Sequence, residues 1–401
     1  MKKGVIMKKG KKKLTVIILS FILLLLAGFI SLFVISGIFL PASYLKPWSK
    51  TYQDRFNDPR LKLAACGLLA ANGHNMQPWK IKLDEKDPSV FYLYADSSRV
   101  TKEVDPYARQ MMVSQGTFLE YVKVAGDELG TPVTIDLFPE GSYDEKDLYK
   151  SMDKYPVAKL TLTQAAPVKT ELYDNIFLPD TNRGDYQDKS LSQNETTALA
   201  YTKEFEEITA RVFQNAPDME ALGNYAIKSA EIEANVSRVM KETEVIFRPN
   251  EYLKNKYRYG FSVEGQGTSG LMKHILQGIV TIFPSMNSGK AQTDSFISST
   301  KKSVANTPSY LLLISKDNSR TSQVESGMAY SYCILKAHNM GLVMQPLSQS
   351  LEEYDEMKDV YKDIQQQYGE GRTVQMLMRL GSPVKEAPRS MRQDVMSLLT
   401  Q

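Results

Sequence analysis

The sequence predicts an α+β protein built from two similar halves and preceded by one membrane-spanning helix. Strand candidates alternate with helical stretches along the body, which is typical of layered α+β folds. One helical pattern occurs twice, and a long uncharged stretch follows a lysine-rich N-terminus. A long helical region at about 197–300 interrupts the second half. We predict that it is an insertion that covers a site as a lid.

The N-terminus predicts a single membrane span. Seven lysines within residues 1–13 precede an uncharged run at 14–40. A hydrocarbon core about 30 Å thick is crossed by about 20 apolar residues. A cleaved signal peptide usually has a shorter apolar region, although Pro41-Ala42-Ser43 leave cleavage open. Lysines before the span place the tail in the cytoplasm and the main domain outside it. Residues 41–56 are predicted to be a linker.

Charge and cysteine usage exclude several classes of site. The tail lysines exceed the net charge of +3, so the rest of the chain is mildly acidic. A mildly acidic main domain lacks the basic surface that nucleic-acid binding requires. The lysine tail can lie against anionic membrane lipid. Cys66 and Cys333 fall in apolar helical stretches, where a thiol is usually a small core residue. An exported location allows a disulfide between them but does not require one. No metal site is expected.

Two stretches of the chain share one pattern. Gly116 and Gly130 are fourteen residues apart, as are Gly327 and Gly341, and a tyrosine follows the first glycine by five residues in both stretches. Each stretch has apolar residues at helical spacing and ends at a glycine suited to a helix C-terminus. We interpret the pair as a duplicated helix. The strand candidates around the two helices are 80–83, 91–94, 133–137, 159–163, 309–314 and 374–380.

A polar loop before the first strand candidate is the strongest candidate for a binding site. It comprises residues 74–79, His-Asn-Met-Gln-Pro-Trp. Asn75 and Gln77 carry amides that could read the donor and acceptor edge of a heterocycle. Pro78 keeps the segment extended. The alternative is a helix-to-strand turn with a capping asparagine and a buried tryptophan. His74 either packs in that turn or contacts the ligand.

Residues 71–79 resemble the small-residue, Asn-x-Gln-Pro-Trp signature of the nitroreductase superfamily. Residues 105–109, Asp-Pro-Tyr-Ala-Arg, with the helix that follows resemble the longer, single-chain branch of that superfamily. In that branch one polypeptide is similar to the usual homodimer fused into a pseudo-dimer. Residues 374–381 and 388–392 are similar to the family's C-terminal third. The resemblance covers most of 55–400 and is weakest at about 200–300.

The resemblance implies a three-layer α+β fold that is duplicated within the chain. Its first half would be 57–175, and its second half would be 176–401 with the lid insertion at about 197–300. FMN would lie between the halves. The implied FMN ligands are His74, Asn75, Gln77 and Trp79 from one half, and Asn182, Arg183, Arg389 and Arg392 from the other. Guanidinium groups suit a phosphate dianion because they bind it through two parallel hydrogen bonds.

Two departures from the family pattern affect the predicted function. Asn72 and Gly73 occupy the place of the usual serine, and the second half has no clear copy of the loop, so one FMN per chain is expected. The resemblance implies an FMN-dependent oxidoreductase that reduces nitroaromatics, quinones or similar small electrophiles by ping-pong hydride or electron transfer. The electron donor stays open between NAD(P)H, which is cytosolic, and a membrane quinol.

Two other functions compete with the oxidoreductase. The chain could bind or sequester FMN under the lid with little or no turnover. It could also be an interaction domain that keeps the fold without the cofactor. No catalytic residue is predicted.

Overall fold

The architecture is that of a computed structural model, which describes residues 2–202 and 204–400. The helices are α1 (Lys2–Ser36), α2 (Pro59–Gly67), α3 (Arg109–Glu128), α4 (Leu148–Lys154), α5 (Gln193–Ala200), α6 (Ala216–Asn235), α7 (Ser237–Val245), α8 (Glu251–Tyr257), α9 (Gly270–Ile282), α10 (Gly289–Ala305), α11 (Arg320–Asn339) and α12 (Lys358–Tyr368). The strands are β1 (Trp79–Leu83), β2 (Val90–Ala95), β3 (Val133–Leu137), β4 (Ala158–Leu162), β5 (Ile208–Phe213), β6 (Ser309–Ser315), β7 (Val343–Pro346) and β8 (Thr373–Gly381).

The N-terminal helix α1 contains the predicted span. Its stretch Lys13–Ser36 is long and apolar enough to cross a membrane by length and composition. The helix ends at Ser36, earlier than the predicted end at residue 40, because the chain turns at Gly37 with a φ of +78°. A left-handed conformation of this kind is the usual way for a helix to end at glycine.

The prediction that residues 41–56 are a linker is wrong. Four aromatic side chains in this segment are buried in the body: Tyr44, Trp48, Tyr52 and Phe56. The segment forms two short 3-10 helices, Ser43–Trp48 and Gln53–Arg55, and Trp48, Tyr52 and Phe56 join the main hydrophobic core. The Trp48 indole also donates a hydrogen bond to the Ser390 carbonyl at 2.8 Å. The segment therefore belongs to the core.

Two four-stranded antiparallel sheets form the centre of the two halves. Their strand orders are β1-β2-β4-β3 and β5-β6-β8-β7, so the second sheet repeats the topology of the first. In the first sheet, residues of β2 and β4 alternate between buried and half-buried positions. In the second sheet, every residue of β6 is buried. All the predicted strands are present within one or two residues of their predicted ends, and Val133–Leu137 matches its prediction.

Strand β5 corrects the predicted insertion. Residues 208–213 were assigned to the helical insertion at about 197–300, but they pair with β6 in antiparallel register from Ile208–Ser315 to Phe213–Tyr310. Ile208, Ala210 and Phe213 are buried. An edge strand of this kind shows only a short apolar alternation, which the surrounding helical composition obscured. The inserted helices are α6 to α10, and they begin after the strand.

Helices α3 and α11 pack against each other between the sheets at two glycines. A Cβ atom on Gly116 would lie 1.8 Å from the Val324 carbonyl oxygen, and one on Gly327 would lie 1.9 Å from the Val113 carbonyl oxygen. The two contacts are reciprocal, since each glycine meets the residue three positions before the other glycine. The repeated glycine of the sequence thus allows backbone-to-backbone contact between the halves.

The C-terminal segment returns to the first half. Leu399 pairs in parallel with Ile81 of β1, and the Thr400 amide donates to the Ile81 carbonyl at 2.8 Å. Cys66 and Cys333 are free and buried, as expected of core residues, and burial raises the pKa of each thiol to about 12.

Candidate functional site

The loop between α2 and β1 has an unusual backbone. His74, Asn75 and Gln77 have φ angles of 54°, 52° and 50°, in the left-handed region. Each such residue costs on the order of 1 kcal/mol or more, and it persists only where the surroundings fix it. Strained backbone of this kind concentrates at functional sites.

Helix α3 holds one side of this loop. The Trp79 indole is buried and donates to the Ser114 carbonyl at 2.8 Å, while the Ser114 hydroxyl accepts from the Gly73 amide at 3.0 Å. The Gln115 amide donates to the Pro78 carbonyl at 2.8 Å. The remaining cavity on this side is about 10 Å³, which is room for one water molecule. A flavin does not fit there.

The amides of Asn75 and Gln77 bond to other parts of the chain. The Asn75 amide nitrogen donates to the carbonyls of Gly260 and Met391, each at 3.2 Å. The Gln77 amide nitrogen donates to the Arg258 carbonyl at 2.8 Å, and its oxygen accepts from a backbone amide of the C-terminal segment. These bonds fix the loop between the insertion and the C-terminal segment.

Arg392 is buried under the same loop. Its guanidinium donates to the Asn75 side-chain oxygen at 2.9 Å and to the Leu69 carbonyl at 2.6 Å. Its carbon Cζ lies 4.7 Å from the centre of the Trp48 ring. Desolvation lowers its pKa to about 10. Arg389 differs, because it is exposed and donates to the Phe177 carbonyl at 3.3 Å.

The segment before α5 brings the second half to the loop. The buried carboxyl of Asp180 accepts from the Ala71 amide at 2.8 Å and from the Tyr121 hydroxyl. Burial raises its pKa to about 6. The backbone N–H of Asn182 donates to the Met344 carbonyl at 2.9 Å. Its side-chain amide donates to the Lys385 carbonyl, also at 2.9 Å. Asp180 and Asn182 thus fix the backbone directly before the next residue of the chain.

That residue is Arg183. Within the part of the chain that the structure describes, its guanidinium has no hydrogen bond and no ion pair, and its charge acts on His74, Tyr186 and Tyr330. The side chain is exposed, yet desolvation by the surrounding protein lowers its pKa. The guanidinium is thus open to solvent although protein atoms surround much of the side chain.

His74 lies close enough to Arg183 for the guanidinium charge to act on its imidazole. Desolvation, with a smaller contribution from the Arg183 charge, lowers the pKa of His74 to about 4, so its imidazole is neutral at pH 7. Its ring packs against Phe261 with centroids 5.2 Å apart. The sequence pattern identified His74 and Arg183 but not Phe261, because the insertion carries no motif that marks it.

The topologically equivalent loop of the second half joins α5 to β5. It carries Glu204, Glu206 and Glu207, and Glu204 pairs with Lys123 at 2.6 Å. An acidic loop is unsuited to a phosphate because like charges repel. This loop therefore differs in charge from residues 74–79.

In comparisons with known proteins, no protein-family model and no curated protein matches the sequence. The chain is similar to the solved structure of a nitroreductase-like family protein from Bacillus cereus, with 12% identity, a TM-score of 0.31 and coverage of 59% of this chain and 98% of that chain.

Two further solved structures carry more specific descriptions. One is the FMN-dependent nitroreductase NfnB from Mycobacterium smegmatis in complex with NADPH, with 14% identity, a TM-score of 0.29 and coverage of 51% and 83%. The other is oxidised iodotyrosine deiodinase bound to FMN and 3-iodo-L-tyrosine, with 12% identity, a TM-score of 0.30 and coverage of 55% and 95%. These TM-scores do not establish a common fold, so the function proposed below depends on this chain's own residues.

Proposed function

We propose that the chain is a membrane-anchored, FMN-binding oxidoreductase of the nitroreductase type. The observation that carries the proposal is the guanidinium of Arg183, which has no hydrogen bond or ion pair among the described residues and acts electrostatically on a neutral His74. An exposed, partly desolvated guanidinium without a protein partner is open to an anion, and a phosphate supplies the opposite charge and the hydrogen-bond acceptors. The sequence resemblance supports FMN as the source of that phosphate.

The residues of the loop have two roles in this proposal. Arg183 binds the phosphate, and His74 and Phe261 face the bound cofactor. Neutral imidazole can donate or accept a hydrogen bond without adding charge. Asn75, Gln77, Trp79 and Arg392 position the loop through their bonds to protein. Asn182 holds the segment that carries Arg183, since its side chain donates to the Lys385 carbonyl. Arg389 is exposed near the loop and is available to a ligand. Bound FMN supplies hydride or electron transfer, while the protein fixes its position and shapes access.

We also propose that the two halves form a pseudo-dimer that arose by duplication. The identical strand order of the two sheets supports it, as does the reciprocal contact of Gly116 and Gly327. The site lies between the halves, since His74 comes from the first and Arg183 from the second.

Membrane anchoring by α1 is part of the proposal, with the lysine tail in the cytoplasm and the body outside. Two contacts support retention of α1 over cleavage as a signal peptide. Gly278 of α9 packs against the backbone of Leu32, and the Ser36 hydroxyl lies 3.1 Å from Nδ1 of His274. A helix that is removed from the mature protein has no need of such packing.

The substrates we propose are nitroaromatics, quinones or similar small electrophiles, with NAD(P)H or a membrane quinol as the electron donor. A second candidate function is FMN sequestration with little turnover. It is favoured by the insertion, whose Gly260 amide donates to the Asn75 carbonyl at 3.0 Å and thereby covers the loop. Rapid reoxidation of the reduced flavoprotein by a quinone or nitroaromatic supports the enzyme, and stable reduced flavin supports sequestration.

The test of FMN binding uses the full chain in detergent, freed of flavin and titrated with FMN while absorbance is recorded. We expect the wild type to bind FMN. We expect Arg183→Gln to bind it about 10- to 100-fold more weakly, since a hydrogen bond to a charged group contributes about 1.5–3 kcal/mol. Arg211→Gln is the matched control, because Arg211 is an exposed arginine of β5 that pairs with Glu370 at 2.7 Å. Absence of binding by the wild type would refute the FMN assignment. Equal affinity of the wild type and Arg183→Gln would refute the role of Arg183.

A further inference from the structure

The insertion exposes large apolar side chains next to α1. On α9 and the turn after it, Leu271, Met272, Phe283 and Met286 are 67%, 55%, 56% and 58% exposed. No Asp, Glu, Lys or Arg occurs at 275–289. Exposed apolar side chains in a stretch without charge, as at 282–286, mark a binding surface.

Helix α9 packs antiparallel to the last turns of α1. Ser36 meets His274, and Leu32 meets Gly278, where a Cβ atom would lie 2.6 Å from the Leu32 carbonyl oxygen. Four residues forward in α9 thus correspond to four residues backward in α1. The same spacing places Ile282, at the end of α9, level with Gly28.

This pairing fixes how deep α9 reaches relative to the span. If the hydrocarbon core begins at Leu14, directly after the last tail lysine, about 20 residues bring it to its other boundary near Val34. Gly28 lies six residues before that boundary, which is about 9 Å at 1.5 Å per residue. Ile282 and Phe283 therefore lie at about that depth. Interfacial helices bury their apolar faces to about 5–10 Å.

The polar groups of this region lie at the opposite end of α9. Lys254 and Lys273 bond to Glu251 at 3.0 and 3.1 Å, and both also contact Glu264. The cluster has two positive and two negative side chains, so it brings no net charge to the surface of a bilayer. It lies where α1 ends, since a Cβ atom on Gly37 would be 3.0 Å from Cβ of Glu251. Charged groups at the boundary and apolar groups beyond it are typical of a segment that enters a membrane.

We propose that α9 and the turn at 283–287 insert into the bilayer leaflet on the side of the body and contact lipid acyl chains. The inference rests on the proposed anchoring by α1, with which the surface is continuous. The same insertion bonds to the candidate site through Arg258 and Gly260. The insertion is consequently held by the bilayer at α9 and by the 74–79 loop at Arg258 and Gly260.

The test is fluorescence quenching of single tryptophan substitutions in the full chain, reconstituted in bilayers whose acyl chains carry bromine at mid-chain. The probes are Phe283→Trp in the turn, Met286→Trp as a second probe of the same surface, Leu24→Trp within α1, and Tyr107→Trp on the exposed loop before α3. Wild-type emission from the buried Trp48 and Trp79 is subtracted. We expect Phe283→Trp, Met286→Trp and Leu24→Trp to lose intensity by about 2-fold or more, and Tyr107→Trp to be unchanged.

The pattern of quenching separates the two proposals. Quenching of Leu24→Trp without quenching of Phe283→Trp and Met286→Trp overturns the insertion of α9 and leaves the anchoring intact. If Leu24→Trp is not quenched either, the anchoring itself fails. Equal quenching of Tyr107→Trp indicates adsorption of the whole body to the bilayer and also overturns the inference.

Discussion

Gly116→Ala tests the close contact between the two halves. The added methyl carbon would lie 1.8 Å from the Val324 carbonyl oxygen, and Cβ atoms essentially never approach other atoms within 3.0 Å. The two helices must therefore separate by more than 1 Å at a point where backbone faces backbone and no side chain can rotate away. Overpacking costs about 1–3 kcal/mol, and occasionally more, whereas the better helix propensity of alanine returns about 1 kcal/mol. Because the contacting atoms are backbone, we expect a cost at or above the upper end of that range, about 3 kcal/mol, and therefore a net loss of about 2 kcal/mol or more.

The measurement is thermal or chemical unfolding of flavin-free protein in detergent. Gly223→Ala is the matched control, since it also replaces a helical glycine but meets only the Val304 side chain at 2.8 Å and the Tyr310 hydroxyl at 3.3 Å. We expect this control to be close to neutral. Gly116→Ala combined with Gly327→Ala should cost less than the two single changes together, because the first already separates the helices. Wild-type stability of Gly116→Ala would refute the reciprocal contact.

Two further predictions concern the groups that hold the loop. The raised pKa of Asp180, about 6 against 3.8, means that the folded state binds more protons, so its contribution to stability falls by up to about 3 kcal/mol as the pH rises from 4 to 7. Asp180→Asn should therefore gain stability relative to the wild type over that range, and a pH-independent difference between the two proteins would contradict this. Arg392→Lys should destabilise flavin-free protein by about 2 kcal/mol or more, because one ammonium cannot replace the bonds to Leu69 and Asn75. If only FMN affinity falls while unfolding is unchanged, Arg392 binds the cofactor directly instead of positioning the loop.

The sequence identified most of the strands but missed the parts whose pattern is weak or short. Strand β3 was predicted at its observed bounds, because Val133–Leu137 lies between a helix-ending glycine and a loop. Strand β5 was missed, since it is an edge strand beside long helices. Tyr44 and Trp48 were assigned to a linker because a segment without an α-helix or a strand shows no period of burial in its sequence. The structure shows that Trp48 bonds to the C-terminal segment.

For the candidate site, the sequence identified the loop and the arginine but not their relations. Residue types and spacing cannot show that the Asn75 amide is occupied by Gly260 and Met391, because both partners are backbone groups distant in sequence. Nor can they show that Arg392 is buried while Arg183 has no partner among the described residues. Burial of an arginine depends on which segments fold over it.

The sequence by itself determined the apolar span, the strand and helix periods, the repeated glycine and the loop motif, since each is a local pattern of residue types. The tertiary structure decided which polar groups are already bonded and which segments lie over the loop. It also decided that Gly116 meets Val324 and that α9 lies along α1. These properties depend on contacts between residues far apart in the chain, and a local pattern contains no information about its distant partners.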